Sequence, residues 1–288
     1  MNGPQLTSPR LVREILQRHK LIPNKRLGQN FLIDKNILDK IIEAVEIKPE
    51  DTILEVGPGL GVLTGPLAAL AGQVVAVEVD QGLIPPLREN LRAYPNVKIV
   101  RGDILKISWA GLVEDINAPL KVVANLPYYI TSAVIMSLLT GPLALERLVL
   151  MVQREVAQRL IAAPGTRDYG ILTAAVGYYT VPEIIAPVPR TVFYPRPAVD
   201  SAVVRLKVRE YPPVEVGDEE LFFRLIRGAF GQRRKTLLNS LQGKFRGEYN
   251  REEIAHFLQT AQIEGNRRGE TLNLEEFARL ARNIKYQQ

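Results

Sequence analysis

The chain has 288 residues, 46% hydrophobic and 24% charged, which is enough apolar material for one large domain and a smaller one. Its formal net charge of +6 and pI of about 9.5 lean toward a polyanionic partner. It has no cysteine, which excludes disulfides, thiolate catalysis and Cys-ligated zinc, and its two histidines, His19 and His256, lie too far apart for a metal-spaced pair.

The N-terminus is polar, and no apolar run reaches the roughly 18 residues that span a bilayer. The expectation is a soluble, cytoplasmic, metal-free protein without membrane contact. Ser8-Pro9 reads as a helix start, with Ser as N-cap and Pro at the first helical position. Leu11, Val12, Ile15 and Leu16 then form its apolar face. Further on, short apolar runs alternate with amphipathic segments, the pattern of an α/β fold with a mostly parallel sheet. The predicted strands are 52–56, 74–79, 97–100, 121–124 and 147–152. The predicted helices between and after them are 62–70, 83–93, 132–139 and 155–161. The stretch 177–207 reads as later strands around a Pro-rich loop. Tyr211-Pro212-Pro213 reads as a linker, and beyond it only helical periodicity appears, at 219–229, 236–241, 251–258 and 274–284. The expected organisation is an N-terminal helical arm (1–24), a Rossmann-like α/β domain (25–209) and a small all-helical C-terminal domain (210–288).

Glu55-Val56-Gly57-Pro58-Gly59-Leu60-Gly61 follows a strand and opens a helix. Glycines let the backbone turn sharply and approach a ligand closely. Glu78 closes the next strand about 20 residues on, where a ribose hydroxyl pair is held in such folds. The spacing is G-x-G-x-G rather than the dinucleotide G-x-G-x-x-G, and the turn begins with a carboxylate. A pyrophosphate suits those surroundings poorly. S-adenosylmethionine, which has no phosphate and carries a sulfonium and an ammonium, suits them well. Asp103 ends the third strand, where it is placed either to accept from the cofactor's adenine amine or to cap a helix.

Asn125-Leu126-Pro127-Tyr128 follows the fourth strand on the same edge. An adenine amine is a poor nucleophile because its lone pair is delocalised into the ring. Two acceptors for its hydrogens localise that pair: the Asn125 side-chain oxygen and the backbone carbonyl of Leu126 or Pro127. Tyr128 offers a face on which an extruded base stacks. Phe193 is, from the residues alone, an aromatic in a Pro-rich loop. Lys25 and Arg26 in the arm, and Arg233, Arg234 and Lys235 at an expected helix start, are candidates for RNA phosphates or for a solvated face.

These motifs, with Leu27-Gly28-Gln29-Asn30-Phe31-Leu32, Phe193–Ser201 and Phe230–Thr236, resemble the ribosomal RNA adenine dimethyltransferase family over residues 25–241, and its small-subunit branch most closely. The resemblance implies that Asn30 and Leu32 close over the methionine end of the cofactor and that Gly57 contacts its carboxylate end, within the turn formed by Glu55, Gly57 and Gly59. It implies Glu78 at the ribose, Asp103 at the cofactor's adenine, and Asn125 bridging cofactor and target. It places Phe193 on the target base opposite Tyr128. It implies N6,N6-dimethylation of two adjacent adenosines in the 3′-terminal hairpin of 16S rRNA, within a pre-ribosomal small subunit, with release of S-adenosylhomocysteine. A monomer is expected, since nothing in the sequence demands otherwise. The rival readings are a large-subunit rRNA adenine methyltransferase and a non-catalytic ribosome-assembly factor.

Overall fold

Strands buried on both faces of a parallel sheet need near-continuous apolar sequence, and the middle of this chain supplies it. Val74, Val75, Ala76 and Val77 are all buried, as are Val122, Val123 and Ala124. The computed structural model describes residues 6–109, 112 and 119–285. Two compact units emerge: Met1–Ala157 with Val181–Val208, and Gln158–Thr180 with Arg209–Gln288.

The strands are β1 (Phe31–Leu32), β2 (Thr52–Val56), β3 (Gln73–Glu78), β4 (Val97–Arg101), β5 (Leu120–Asn125), β6 (Leu145–Gln153), β7 (Thr180–Val188), β8 (Phe193–Tyr194) and β9 (Ser201–Val208). Seven of them form one sheet in the order β4-β3-β2-β5-β6-β9-β7. β2 pairs in parallel with β3 on one side and β5 on the other. The chain therefore winds outward through β3 and β4, then returns to continue from the opposite flank of β2. That reversal opens a crevice at the carboxyl ends of β2 and β5, where open α/β sheets bind ligands. β6 and β9 are antiparallel. β7 holds the edge, which tolerates Pro182 and Pro187 because an edge strand has unpaired positions. β1 and β8 make a separate two-stranded ladder.

The helices of this unit follow local chemistry. In α1 (Pro9–Arg18) the Ser8 hydroxyl caps the Leu11 N–H, and Val12, Ile15 and Leu16 are buried, as expected. α2 (Lys35–Val45), capped by Asp34, was not expected, although Ile37, Ile41 and Val45 repeat at helical spacing. α3 (Thr64–Leu70) starts two residues later than the expected 62, after the turn through Gly61 (φ +92°). α4 (Ile84–Asn90) takes Pro85 and Pro86 in its first turn, where their missing N–H groups have no partner to lose. α5 (Thr131–Leu139) and α6 (Arg154–Leu160) complete the series.

The second unit holds α7 (Ile171–Tyr179), α8 (Glu219–Phe230), α9 (Leu237–Lys244), α10 (Arg251–Thr260) and α11 (Leu274–Lys285). The last four match expectation within a few residues. The difference lies in Gln158–Thr180, expected in the α/β domain and found here. Gly177 belongs to a helix, not a strand. Its neighbour Tyr178 packs against Phe222 and Phe223 of α8, at ring centroid distances of 5.1 and 5.4 Å. The Tyr178 and Tyr179 hydroxyls both donate to Glu219. Long-range aromatic packing of this kind is invisible to a short-window pattern. Gly231–Lys235 forms turns, and the following helix begins only at Leu237.

Opposite the crevice, the first unit buries a lysine completely. Lys121, at 0% exposure, donates to Asp51 Oδ2 at 2.6 Å and to the Glu46 carbonyl at 2.7 Å. Glu46 also binds Arg147 and Arg205. Breaking a buried pair by removing one partner leaves an uncompensated charge in a medium that solvates it poorly. Lys121→Met is expected to lower the unfolding free energy by about 3–5 kcal/mol in urea titrations. The Lys121→Met/Asp51→Asn double variant is expected to recover part of that loss, because no lone charge remains.

Candidate active site

A cleft opens at the carboxyl ends of β2, β3 and β5, and it holds about 620 Å³ of open space, its mouth included. Glu78 is the one charged side chain on its wall among the described residues. Among the described residues no lysine or arginine lines it, so none of them offers a pyrophosphate a cation there. The wall suits a ligand that is itself positively charged.

Glu78 is buried, and its carboxyl is held by two backbone donors. The Gly59 N–H donates to Oε2 at 3.1 Å and the Asp80 N–H to Oε1 at 2.8 Å. Burial pushes its pKa up, and these backbone hydrogen bonds pull against that shift. A carboxylate has about four lone-pair sites, more than the backbone donors occupy, so acceptor capacity remains for a ligand hydroxyl. The Gly-rich turn makes this possible. Gly57 and Gly59 sit at φ +72° and +60°, a region that side chains strain to enter. A Cβ on Gly59 would also press within 3.3 Å of the Phe31 ring.

Glu55 is not on the cleft wall. It is 1% exposed, and neither of its carboxyl oxygens has a hydrogen-bond partner among the described residues. Burial, with repulsion from Glu78 added, raises its pKa to about 8, although the nearby Thr64 hydroxyl acts to lower it. Asp103 also stays off the wall. Its Oδ1 accepts from the Leu105 N–H at 3.0 Å, within the turn that follows β4. Leu32, Gly57, Gly59, Asn30 and Asn125 do line the cleft.

The tetrapeptide after β5 is fixed from several sides. The Asn125 Nδ2 donates to the Asn30 carbonyl at 2.9 Å, and Asn30 in turn donates to the Gly28 carbonyl at 2.9 Å. A carbonyl can only accept, so the nitrogen of Asn125 must face it. The Oδ1 is then the group Asn125 can offer a donor in the cleft. The Pro127 carbonyl is already taken by the Ile130 N–H and the Thr131 hydroxyl, each at 3.2 Å. Of the two carbonyls left open by the sequence, this favours Leu126. The Tyr128 hydroxyl lies 2.8 Å from Ser201 Oγ, which pins its ring, and burial raises its pKa.

Phe193 stands apart from the expectation. It is 4% exposed, in the same core cluster as Leu32, Val123 and Met151, and pairs with Leu32 across the β1–β8 ladder. It offers no open ring face for stacking in this conformation. Of the basic candidates, Arg26, Arg234 and Lys235 are exposed. Arg233 donates to the Arg167 and Tyr169 carbonyls, at 2.7 and 3.1 Å, so part of its guanidinium serves the fold of the second unit. The side chain of Lys25 lies outside the described residues.

Gln29 and Asp80 carry no role in the sequence reading. Gln29 Nε2 donates to Asp80 Oδ2 at 2.6 Å, while its Oε1 accepts from the Asn24 N–H at 2.7 Å. This clasp holds the segment carrying Gly28–Leu32 against the loop after β3.

Over residues 21–281 the sequence matches the family described as ribosomal RNA adenine dimethylase. The chain belongs to that family. A relative from Pelotomaculum thermopropionicum, ribosomal RNA small subunit methyltransferase A, is 51% identical over 284 residues, 96% of each chain. A solved dimethyladenosine transferase from Plasmodium falciparum superposes with a TM-score of 0.74 at 27% identity, covering 88% of this chain and 97% of that one. The 23S rRNA methyltransferase ErmE superposes with a TM-score of 0.67 at 31% identity, covering 89% and 100%. As a ribosomal RNA adenine dimethylase, the chain is a methyltransferase with a Rossmann-like α/β domain. The carboxylate-walled cleft fits the cationic methyl donor such an enzyme needs.

A carboxyl whose folded pKa exceeds its unfolded value keeps a proton that the unfolded chain releases. The stabilising contribution of Glu55 is therefore whole below its ordinary value of 4.5 and is lost as pH rises to about 8. Glu55→Gln is expected to remove this decline. Urea midpoints measured from pH 5 to 8 should fall less steeply for the variant than for wild type, and parallel curves would contradict the assignment.

Proposed function

We propose that the protein uses S-adenosylmethionine to dimethylate the N6 amines of two adjacent adenosines in the 3′-terminal hairpin of 16S rRNA, and that it acts as a cytoplasmic monomer on a pre-ribosomal small subunit. The observation that carries this reading is the hydrogen bond from Asn125 to the Asn30 carbonyl. It leaves the Asn125 oxygen as an acceptor at the end of β5, two residues before a proline turn and three before an anchored tyrosine. The higher identity to the small-subunit relative than to ErmE, 51% against 31%, supports the small subunit over the large one as substrate.

The cofactor supplies an electrophilic methyl on a positively charged sulfur and leaves as S-adenosylhomocysteine. The protein does the rest by position. Glu78 accepts from the ribose hydroxyls, with the Gly57 turn and the Asn30–Leu32 segment closing around the methionine end. Asp103 and Glu55 act at the cofactor's periphery, Asp103 through its Oδ2, which lies 3.7 Å from the Lys106 ammonium. Asn125 Oδ1 and the Leu126 carbonyl accept the two amine hydrogens of the target adenine, which localises the nitrogen lone pair and aims it. The ring of Tyr128 supports the base. Phe193 takes its place opposite only if the β8 segment shifts when RNA binds. No strong general base is required, because the amine becomes acidic on gaining positive charge. Arg26, Arg234 and Lys235, with Lys25 and the free part of Arg233, meet the RNA backbone.

Asn125→Ala is expected to cut methyl transfer by roughly 10²–10³-fold, the usual cost of one positioned polar group. Affinity for RNA should change little, since phosphate contacts dominate it. Wild-type activity in that variant would overturn the mechanism. In calorimetry, Glu78→Ala should weaken cofactor binding by about tenfold or more, as loss of a charge-assisted hydrogen bond does; unchanged affinity would refute its role at the ribose.

A further inference from the structure

Tyr129 follows the anchored Tyr128 and behaves in the opposite way. It is 64% exposed. A large aromatic ring in water at this position forgoes the burial that such side chains usually obtain. Its location is specific. A Cβ placed on Gly28 would lie 3.9 Å from Tyr129 Cε1 and 3.2 Å from Pro127 Cβ. Gly28 and Pro127 both line the cleft. The Tyr129 ring therefore borders the cleft mouth, and a glycine at position 28 (φ +62°) leaves room beside it.

The substrate of the proposed reaction supplies a partner for that ring. Drawing one adenine out of its stack into the cleft strips a neighbouring base of one stacking face. Consecutive Cα atoms are about 3.8 Å apart, so Tyr128 and Tyr129 sit on the same short turn. One is pinned by Ser201, and the other is exposed beside the cleft residues Gly28 and Pro127. An exposed aromatic face is sequence-tolerant, because every base has a π-face to lay on it.

We propose that Tyr129 is a stacking residue for the nucleobase next to the adenine held in the cleft, replacing the contact that extrusion destroys. This rests on the RNA adenine reading above. It assigns the rim of the cleft to a second base of the same strand.

The test is steady-state kinetics on undermethylated small subunits with wild type, Tyr129→Ala, Tyr129→Phe and Tyr129→Trp. Tyr129→Ala should raise the KM for subunits by roughly 5- to 150-fold, the range to which base–aromatic stacking energies convert. The KM for S-adenosylmethionine should stay within about twofold, and the thermal midpoint should be unchanged. Phe and Trp, which keep a ring, should restore the subunit KM to within a few-fold of wild type. An unchanged subunit KM in Tyr129→Ala overturns the stacking role. So does a Phe variant as impaired as Ala, which would assign the effect to the hydroxyl, or a parallel loss of cofactor affinity, which would mean a distorted cleft. Wild-type protein that transfers no methyl to subunits would instead remove the reading on which the stacking role rests.

Discussion

A parallel strand has two edges, and β2 uses both, pairing with β3 on one and β5 on the other. Much of the site follows from that pairing. The chain must leave β2 through a turn that clears both neighbours, so the turn is built from glycines at positive φ. Glu78 at the end of β3 and Asn125 at the end of β5 are brought to either side of that turn by register alone. The Gly57 N–H donates to the Val77 carbonyl at 2.9 Å, and a Cβ on Gly57 would lie 4.0 Å from the Asn125 carbonyl oxygen. The cofactor half and the target half of the site are thus joined through one glycine.

The two ends of the same strands carry opposite kinds of charge chemistry. β5 has a fully buried lysine near its start and ends at Asn125. At the start, Lys121, Asp51, Glu46 and Arg147 satisfy one another in a network that extends to Glu146 and Arg205. At the carboxyl end, Glu78 keeps acceptor capacity on the cleft wall, while the carboxyl oxygens of Glu55, off the wall, have no hydrogen-bond partner among the described residues. Unsatisfied buried polar groups cost stability.

Much of this was legible in the sequence. Valine-rich runs located the central strands to within a residue or two, because burial on both faces writes itself as composition. The Gly-rich turn, Glu78 and Asn125–Tyr128 were readable because each lies next to the strand that places it. What was lost depends on pairing between distant segments. Asn125 binds a carbonyl 95 residues away, and Phe193 is drawn into the core by a two-residue ladder with β1. Neither leaves a periodic trace. Ile171–Tyr179 was hidden because its aromatic end is stabilised by α8, and Lys35–Val45 was missed although Asp34 and its apolar spacing announced it.

The central claim is that this cleft directs methyl transfer to an adenine amine of small-subunit rRNA. The most direct measurement incubates the protein with methyl-labelled S-adenosylmethionine and undermethylated small subunits, then digests the RNA to nucleosides. Label in N6,N6-dimethyladenosine is the predicted result. Label confined to another nucleoside, or bound cofactor with no label in the RNA, would contradict it.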